Sequence, residues 1–415
     1  MPTEERRRAG FKQRTRLGPA REQLRSAIRP HDRTERLRLS VADGRVVATE
    51  LTATNPVPTY ERAAMDGYAV RAADTVGASP NSPVVVDALD READCRPGGA
   101  VPVHTGSEVP AGADAVVKIE ATEAVGDEIE IFEALAEGVN IGPVGEDVAA
   151  GQSLYEPGHR LRPSDLGLLK SVGQAEVGVY QEPTVGVVPT GEELVEHDPD
   201  PGEIIETNGQ TVSQLVDRWG GVATYRNTVT DDEAALRAAI QRDLTKDVIV
   251  TTGGSSVGER DLLPEVVDKL GEVLVHGVAI KPGYPVALGV VQETPVLMLP
   301  GNPVACIVTA QQFLRPALKQ AGHMPVEPVP TQSATLARKL PSEPGTRTFA
   351  RVETSESEGD SEGDDPDRTA TPVRTGGAGI LSSVALADGW VVVPEQREGY
   401  SAGETVEVEH WEALP

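Results

Sequence analysis

The sequence contains few cysteines and no long apolar run. Cys95 and Cys306 are the two cysteines in 415 residues. They are too few and too far apart for a disulfide framework or a zinc site, so we expect two buried thiols. No apolar run reaches the ~18 residues of a membrane span. The first residues lack the apolar core of a secretory signal. These absences predict a soluble, cytoplasmic protein that does not associate with a membrane.

Basic residues, lysine above all, are also scarce. Lys+Arg total 38 against 65 Asp+Glu, a net charge of −27, and only eight of the 38 are lysine. A chain this acidic lacks the basic face that nucleic-acid binding requires. The acidic, lysine-poor composition with 3% aromatics favours a halophilic protein, because self-repulsion is tolerable where salt screens it. An ordinary acidic cytosolic protein is the alternative.

Local composition divides the chain into segments. Residues 1–38 hold 12 basic and five acidic side chains, and residues 1–16 form a basic tail that either docks on an acidic neighbour or stays solvated. Helical spacing begins at Pro19–Ile28. Residues 17–56 and 141–181 are assigned to a discontinuous N-terminal α/β domain. Residues 57–140 carry short alternating runs, which predict a small inserted β domain.

Residues 182–326 alternate short apolar strands with amphipathic helices. This pattern predicts a mostly parallel sheet covered on both faces, a three-layer α/β domain. The predicted strands are 184–188, 247–251, 273–280 and 295–299, and the predicted helices are 210–219, 233–244, 262–270 and 304–320.

The C-terminal residues 327–415 return to a β pattern and predict a small barrel or sandwich. Within them, eight of the fifteen residues 353–367 are acidic and none is apolar. Such a segment cannot offset its ordering entropy by burial. We interpret it as a disordered hairpin loop, with a functional acidic tail as the alternative. The fold class is therefore a multidomain α/β protein: a three-layer α/β domain, an inserted small β domain and a C-terminal β-barrel-like domain.

Polar and glycine residues follow several strands of the α/β domain. Ligands of open parallel sheets bind beyond the carboxyl ends of the strands. The loop Gly253–Gly258 offers bare N–H groups and hydroxyls before a helix, which suits a phosphate. It is neither a Walker A loop nor a dinucleotide-binding fingerprint. The residues at these ends are Thr190, Glu193, Gly253, Gly254, Ser255, Ser256, Gly258, Asp261, Lys281, Pro300, Asn302 and Pro303.

Structural roles compete with binding roles at several of these positions. Asp261 is a candidate helix cap, Asn302 followed by Pro303 is a common cap pair, and Glu193 is a candidate surface acid. Outside this domain, Asp66 lies in Ala-Ala-Met-Asp-Gly-Tyr-Ala-Val. Asp-Gly there is either a hairpin turn or a site that presents a carboxylate to a ligand.

Seven motifs occur in the order of one known family. The sequence resembles the molybdopterin molybdenumtransferases, the MoeA type to which the gephyrin E domain belongs, over roughly residues 17–415. The motifs are Ala63–Val70 around Asp66, His104-Thr105-Gly106, Gly145-Glu146-Asp147, Pro189–Leu194, Gly253–Gly258, Ile280–Gly283 and Pro300–Pro303.

The resemblance implies an enzyme that inserts molybdate into adenylylated molybdopterin, releases AMP and uses Mg²⁺. It implies a homodimer whose sites lie between the α/β domain of one subunit and the N-terminal domains of the other. Residues 182–326 would then be the molybdopterin-binding domain. The positions that match the family's functional residues are Asp66, Thr105, Asp147, Glu193, Asp231, Asp261, Lys281 and Arg347.

The implied chemistry assigns a role to each of these side chains. Asp261 and Glu193 would hold Mg²⁺, which binds through phosphates plus one or two carboxylates. Lys281 and Arg347 would hold molybdate or phosphate. Asp66 and Asp147 would come from the partner subunit and position water or the dithiolene end. Catalysis is thus assigned to Asp66, Asp147, Glu193 and Asp261. Substrate binding is assigned to Thr105, Thr190, Gly253, Gly254, Ser255, Ser256, Gly258, Asp231, Lys281, Pro300, Asn302, Pro303 and Arg347.

The sequence departs from the family pattern at four places. Gly142-Pro143-Val144, Gly277 and Tyr284 replace commonly basic positions, and Ala378 replaces a serine. The site has lost groups that attract an oxyanion. A non-catalytic molybdopterin-binding or scaffold paralogue is therefore an alternative. A tungstate-specific insertase is another, because tungstate and molybdate are similar tetrahedral dianions. A nucleotide-pyrophosphate hydrolase is a third, because a related α/β fold serves such chemistry.

Overall fold

A computed structural model describes residues 14–254, 262–356, 368–373 and 380–413 of the chain. Of the sequence predictions, residues 1–13 of the basic tail, Ser255, Ser256, Gly258, Asp261, residues 357–367 of the acidic segment and Ala378 lie outside these ranges. No helix in the described part combines the length and apolar character that a membrane crossing requires. Cys95 and Cys306 are buried free thiols, as predicted.

The N-terminal half contains one substantial sheet and several two-stranded ladders. The six strands of that sheet fall within the predicted insertion, and their spatial order is Ala115–Lys118, Gly67–Val70, Gly99–Val103, Val84–Ala88, Glu128–Ile131 and Thr122–Val125. Short 3₁₀ turns occur at Leu39–Val41, Ala72–Thr75 and Ile119–Ala121. The elements are α1 (Leu17–Ala27), β1 (Thr34–Arg38), β2 (Leu51–Thr52), β3 (Arg62–Ala63), β4 (Gly67–Val70), β5 (Val84–Ala88), β6 (Gly99–Val103), β7 (Ala115–Lys118), β8 (Thr122–Val125), β9 (Glu128–Ile131), β10 (Ile141–Gly142), β11 (Ser153–Tyr155), α2 (Pro163–Ser171) and β12 (Glu176–Tyr180).

The segment around Asp66 is not a hairpin. Strand β3 pairs with β10, whereas β4 pairs with β6 and β7. The two strands on either side of Asp66 therefore belong to different ladders, and the hairpin alternative is wrong. Gly67 approaches the carbonyl oxygen of Val117 so closely that a Cβ would lie 1.9 Å from it. This contact explains the glycine without a turn.

The central domain is a six-stranded, mostly parallel sheet with helices on both faces, as predicted. Strands β16, β13, β17 and β21 are parallel neighbours, and β20 and β18 continue the sheet antiparallel. The elements are β13 (Thr184–Pro189), β14 (Leu194–Val195), β15 (Ile204–Ile205), α3 (Asn208–Arg218), β16 (Val222–Tyr225), α4 (Glu233–Arg242), β17 (Val248–Thr252), α5 (Leu263–Leu270), β18 (Glu272–His276), β19 (Ile280–Lys281), β20 (Ala287–Val291), β21 (Thr294–Leu299), α6 (Pro303–Thr309), a π-helical turn (Ala310–Leu314) and α7 (Arg315–Ala321).

Alternate residues of the central strands supply two separate cores. On β17, Val248 and Val250 face the core shared with α3, α6 and α7, while Ile249 faces the core shared with α4 and α5. The first core also contains Leu17 and Leu24 of helix α1. Strands buried on both faces are apolar throughout, which is why their sequence reads as continuous valine and isoleucine. The domain limits drawn from the sequence stay a prediction.

The predicted strand 273–280 is wrong in one respect, because it is two strands. Gly277 has a φ of +85°, which interrupts the extended backbone. Strand β18 stays in the central sheet, but β19 leaves it and pairs with the strand Arg347–Glu356 of the C-terminal domain. The break therefore carries Lys281 to the junction of the two domains.

The C-terminal domain is a closed five-stranded barrel. Strands β24, β25, β22, β28 and β26 are successive neighbours, and β26 pairs back with β24. The elements are β22 (Thr331–Leu336), β23 (Leu340–Pro341), β24 (Arg347–Glu356), β25 (Arg368–Pro372), α8 (Ser382–Ala385), β26 (Gly389–Val393), β27 (Gly399–Tyr400), β28 (Thr405–Glu409) and a 3₁₀ turn (Trp411–Ala413).

The start of the predicted acidic loop is a strand. Residues 353–356 continue β24 and pair with 368–371 of β25, so the loop assignment is wrong for these four residues. Backbone hydrogen bonds to a neighbouring strand order residues that their composition alone would leave unfolded. The two strands that flank the segment are antiparallel, as the hairpin interpretation requires.

Candidate active site

Two parallel strands bring Thr190 and the first glycines of the phosphate-loop candidate together. Pro189 on β13 is in register with Thr252 on β17. A Cβ on Gly253 would lie 2.4 Å from the carbonyl oxygen of Thr190 and 2.9 Å from its Oγ1. Gly253 and Gly254 have φ values of +142° and +62°, where side chains cause strain. Only glycine permits this close approach, so the structure joins these predicted residues into one rim.

Three hydroxyls are buried at the same strand ends. The side chains of Thr190, Thr251 and Thr252 are 3%, 1% and 1% exposed. Within the described residues, none of their Oγ1 atoms has a hydrogen-bond partner. A buried polar group without a partner costs free energy. The rim therefore holds donors and acceptors that a polar ligand or water can satisfy. Thr251 and Thr252 directly precede the glycine loop, but they are not among the binding residues predicted from the sequence.

The third loop of the rim follows β21. The N–H of Gly253 donates to the carbonyl oxygen of Leu299 at 3.0 Å, and Gly301 lies against Gly253. Asn208 Nδ2 donates to the carbonyl oxygen of Gly301 at 2.6 Å. Asn208 thus ties α3 to this loop. Helix α3 starts at Asn208 itself, and Thr207 occupies the cap position.

Asn302 occupies the cap position of α6, and Pro303 is the first residue of that helix. The Asn302 side chain nevertheless makes no capping hydrogen bond, and it is exposed. Pro300, just before this loop, is buried. The position of Asn302 fits the cap alternative, but its amide group does not act as a cap. It remains available at the rim as a binding group.

Two acidic residues flank the rim. The carboxylate of Glu193 folds back over Gly191, where an added Cβ would lie 2.8 Å from Oε2. Glu193 is exposed. Asp231 lies two residues after Val229, which pairs with Thr190. The neighbouring Asp232 caps α4 by accepting hydrogen bonds from the N–H groups of Ala234 and Ala235.

The predicted metal pair is described only at Glu193. Its partner Asp261 lies outside the described residues, as do Ser255, Ser256 and Gly258. Within the described ranges, no group of three or more His, Cys, Asp or Glu side chains is arranged to hold a metal ion. A site that completes its coordination with substrate phosphates needs fewer protein ligands. Glu193 and the rim fit such a site.

Lys281 and Arg347 lie at the junction with the barrel, on the adjacent strands β19 and β24. Ile280 is in register with Arg347. Each cation contacts a carboxylate: Lys281 Nζ lies 3.0 Å from Glu343 Oε1, and Arg347 donates from Nε and Nη2 to Glu395 Oε2 at 3.2 and 2.9 Å. The structure thus places the two cations predicted to hold an oxyanion on neighbouring strands, at successive register positions. It also supplies each with an acidic partner that the sequence did not indicate.

Asp66 and Thr105 form a separate cluster in the N-terminal half. Asp66 Oδ1 accepts hydrogen bonds from the N–H of Thr105 at 2.7 Å and from its hydroxyl at 3.1 Å. His104 Nδ1 lies 3.7 Å away. The pKa of Asp66 is below its usual value, chiefly because of the backbone hydrogen bond from Thr105. Asp66 is therefore an exposed carboxylate that stays ionised, held in one orientation by Thr105.

Asp147 also lies in the N-terminal half, in the loop after β10. Its N–H donates to the carbonyl oxygen of Val57, and the adjacent Glu146 pairs with Arg62 at 3.2 Å. In the described part of the chain, the hydrogen bonds of Asp66 and Asp147 all stay within the N-terminal half. The structure of one chain therefore does not join this cluster to the rim.

Comparisons with known proteins cover nearly all of the chain. Residues 15–173 match the MoeA N-terminal region (domain I and II). Residues 186–320 match a domain described as a probable molybdopterin binding domain, and residues 333–411 match the MoeA C-terminal region (domain IV).

Individual relatives agree with these matches. The chain is 33% identical to the molybdopterin molybdenumtransferase of Bacillus subtilis over 90% of this chain and 89% of the relative. It is 34% identical to molybdopterin molybdenumtransferase 2 of Mycobacterium tuberculosis over 76% and 82%. A crystal structure of a MoeA protein from Pyrococcus horikoshii is 32% identical and superposes with a TM-score of 0.79 over 96% of this chain and 99% of that one. The chain therefore belongs to the MoeA family of molybdopterin molybdenumtransferases.

Proposed function

We propose that this protein inserts molybdate into adenylylated molybdopterin and releases AMP, a step of molybdenum cofactor biosynthesis. One observation carries the proposal: at the carboxyl ends of parallel strands, next to Gly253 and Gly254, the hydroxyls of Thr190, Thr251 and Thr252 are buried without a hydrogen-bond partner among the described residues. A phosphate group satisfies such donors in a parallel α/β sheet. Full-length similarity to named molybdenumtransferases supports the reaction class.

We assign the adenylylated pterin and the oxyanion to two different groups of residues. The rim would bind the pyrophosphate of the adenylylated pterin, with Asn302 and Asp231 at its edge. Lys281 and Arg347 would bind the oxyanion, because a guanidinium fork and an ammonium group both suit a tetrahedral dianion. For binding to occur, the anion has to compete with Glu343 and Glu395 for these cations.

Magnesium is part of the proposal. Glu193, with Asp261 beyond the described residues, would hold Mg²⁺ together with substrate phosphates. The ion supplies charge neutralisation that makes the adenylyl phosphorus open to attack by water. The chain itself contributes the exposed carboxylate of Glu193 and the glycine backbone next to it.

A homodimer would supply the remaining groups. Asp66, Thr105 and Asp147 make their hydrogen bonds within the N-terminal half, so their role requires the rim of a second chain. We propose that the partner subunit contributes them. In a mixture of Asp66→Asn and Glu193→Gln chains, one of the two sites in each mixed dimer would be intact. Activity regained on mixing would support the shared site, and no gain would exclude it.

The central experiment is a metal-insertion assay. Purified protein is incubated with adenylylated molybdopterin, molybdate and Mg²⁺, and both AMP release and pterin-bound molybdenum are measured. Glu193→Gln should lower AMP release at least tenfold. Glu203→Gln should not, because the Glu203 carboxylate accepts a hydrogen bond from the N–H of Asp200 in the adjoining loop and is not assigned to the site. Substitution of tungstate for molybdate tests the choice of metal.

The carboxylate partners of Lys281 and Arg347 favour a second candidate function, a protein that holds molybdopterin without turnover. Occupied cations are less able to attract an oxyanion. Tight pterin binding without AMP release in the same assay would establish this alternative. Stoichiometric AMP release with molybdenum incorporation would exclude it.

A further inference from the structure

The first described residues of the chain run beside the loop that carries Lys281. The N–H of Thr15 donates to the carbonyl oxygen of Gly277 at 3.0 Å, and the N–H of Ala279 donates to that of Thr15 at 2.8 Å. Thr15 and Val278 form a parallel bridge. Leu17, two residues on, is fully buried. The backbone of the N-terminal segment is therefore bound to residues 277–279, which lie shortly before Lys281 in the chain.

Arg14 is held on the loop by an aromatic side chain. Its guanidinium carbon lies 4.9 Å from the centre of the Tyr284 ring, within the range of a cation–π interaction. The loop itself is closed by a hydrogen bond from the N–H of Val278 to the carbonyl oxygen of Tyr284. Arg14 is exposed, so its charged group remains open to a ligand.

Arg14 and Lys281 act on the same carboxylate. Lys281 Nζ contacts Glu343 Oε1 at 3.0 Å, and both side chains are more than half exposed. The pKa of Glu343 lies below its usual value, first because of the hydrogen bond with Lys281 and to a smaller extent because of the charge of Arg14. The charge of Arg14, held on the Tyr284 ring, thus reaches the carboxylate that Lys281 contacts. An ion with two negative charges would neutralise both cations, which a single carboxylate cannot do.

We propose that Arg14 is an additional cation of the oxyanion site at Lys281, and that Glu343 competes with the oxyanion for both Lys281 and Arg14. The ligand class is a tetrahedral dianion such as molybdate or tungstate. The inference rests on the proposed function, because that function assigns Lys281 to the oxyanion. The segment ahead of the first helix therefore takes part in binding.

Calorimetric titration of the full-length protein with sodium molybdate tests the inference directly. Arg14→Gln should weaken binding roughly fivefold, the factor that corresponds to about 1 kcal/mol for one exposed ion pair. Arg14→Lys should stay within about twofold of the wild type because it keeps the charge. Glu343→Gln should strengthen binding by a similar fivefold factor, because it removes the competitor. All titrations use one salt concentration, since screening changes every exposed pair.

Two matched controls use ion pairs elsewhere. Arg25→Gln removes an arginine of the same N-terminal segment that pairs with Glu22 at 2.8 Å. Glu404→Gln removes a barrel carboxylate that pairs with Arg397 at 2.7 Å. Both variants should bind molybdate as the wild type does. Equal weakening by Arg14→Gln and Arg25→Gln would show a general charge effect and overturn the inference.

Lys281→Gln separates this inference from the proposed function. If Lys281→Gln leaves molybdate binding unchanged, the oxyanion assignment itself fails and Arg14 has no site to join. If Lys281→Gln weakens binding but Arg14→Gln does not, only the role of Arg14 is overturned. Weakening by both, with restoration in Arg14→Lys, supports the inference.

Discussion

Alanine at position 253 tests whether the rim is as close as the structure shows. The new Cβ would lie 2.4 Å from the carbonyl oxygen of Thr190, and the φ of Gly253 is +142°. Real Cβ atoms do not approach backbone oxygens so closely, so β13 and β17 would have to move apart or the loop would have to shift. Either movement displaces the groups that we assign to the pyrophosphate.

The cost has two parts. A residue with a Cβ at unfavourable positive φ loses roughly 1–2 kcal/mol, and overpacking costs roughly 1–3 kcal/mol more. A loss of about 3 kcal/mol lowers the melting temperature of a domain of this size by roughly 6–12 °C. We expect differential scanning calorimetry to show this drop in the transition of the α/β domain. We also expect fluorescence titration to show at least tenfold weaker molybdopterin binding.

Gly301 provides the control on the same rim. A Cβ added at Gly301 would lie 3.7 Å from its nearest neighbouring atom, and the φ of Gly301 is not in the left-handed region. Gly301→Ala should therefore leave the melting temperature within about 1 °C of the wild type. If Gly253→Ala is as stable as Gly301→Ala and binds the pterin equally well, the close approach of Gly253 to Thr190 is wrong.

Three further predictions concern buried polar groups. Thr252→Val should raise the free energy of unfolding by about 1 kcal/mol, because it removes a buried hydroxyl that has no hydrogen-bond partner among the described residues. It should also weaken pterin binding. Lower stability in urea denaturation would contradict this. Burial alone would raise the pKa of Asp165, but hydrogen bonds from Arg162, His159 and Tyr155 lower this pKa below 3.8. The ionised Asp165 carboxylate therefore stabilises the folded protein above about pH 4, and this contribution declines on acidification. Asp165→Asn should cost about 2 kcal/mol at pH 7 and flatten the acid limb of the urea midpoint; a limb as steep as that of the wild type would count against it. Burial lowers the pKa of Lys319 from 10.5 to about 8. Between these pH values the unfolded chain binds more protons than the folded protein, so the free energy of unfolding should rise with pH. Lys319→Met should remove that rise, and an unchanged slope would refute the assignment.

Much of the fold could be predicted because it follows from local patterns. The helices α4 and α5 and the strands β17 and β21 were predicted to within about two residues, since apolar periodicity reports which face is buried. The break at Gly277 was missed because a single glycine in an apolar run does not show which sheet the next residues join. The ordering of residues 353–356 was missed for a related reason: composition does not reveal the backbone partner.

The candidate site, like the fold, could be predicted only in part. Its glycines, Thr190 and Asn302 could be predicted as a rim because strand ends of a parallel sheet meet at one edge. The roles of Asn208, Thr251 and Thr252 could not be predicted from the sequence. They depend on which groups of distant loops lie beside these side chains in the folded chain.

The sequence by itself determined the alternation of strands and helices, the acidic charge and the order of the glycine-bearing strand ends. These depend on residue type and short spacing, so no long-range contact is needed to identify them. Only the tertiary structure decided that Lys281 and Arg347 lie on paired strands and that each contacts a glutamate. It also decided that Arg14 lies on the loop that carries Lys281. Such pairs join residues far apart in the chain, and their distances are set by how the domains pack.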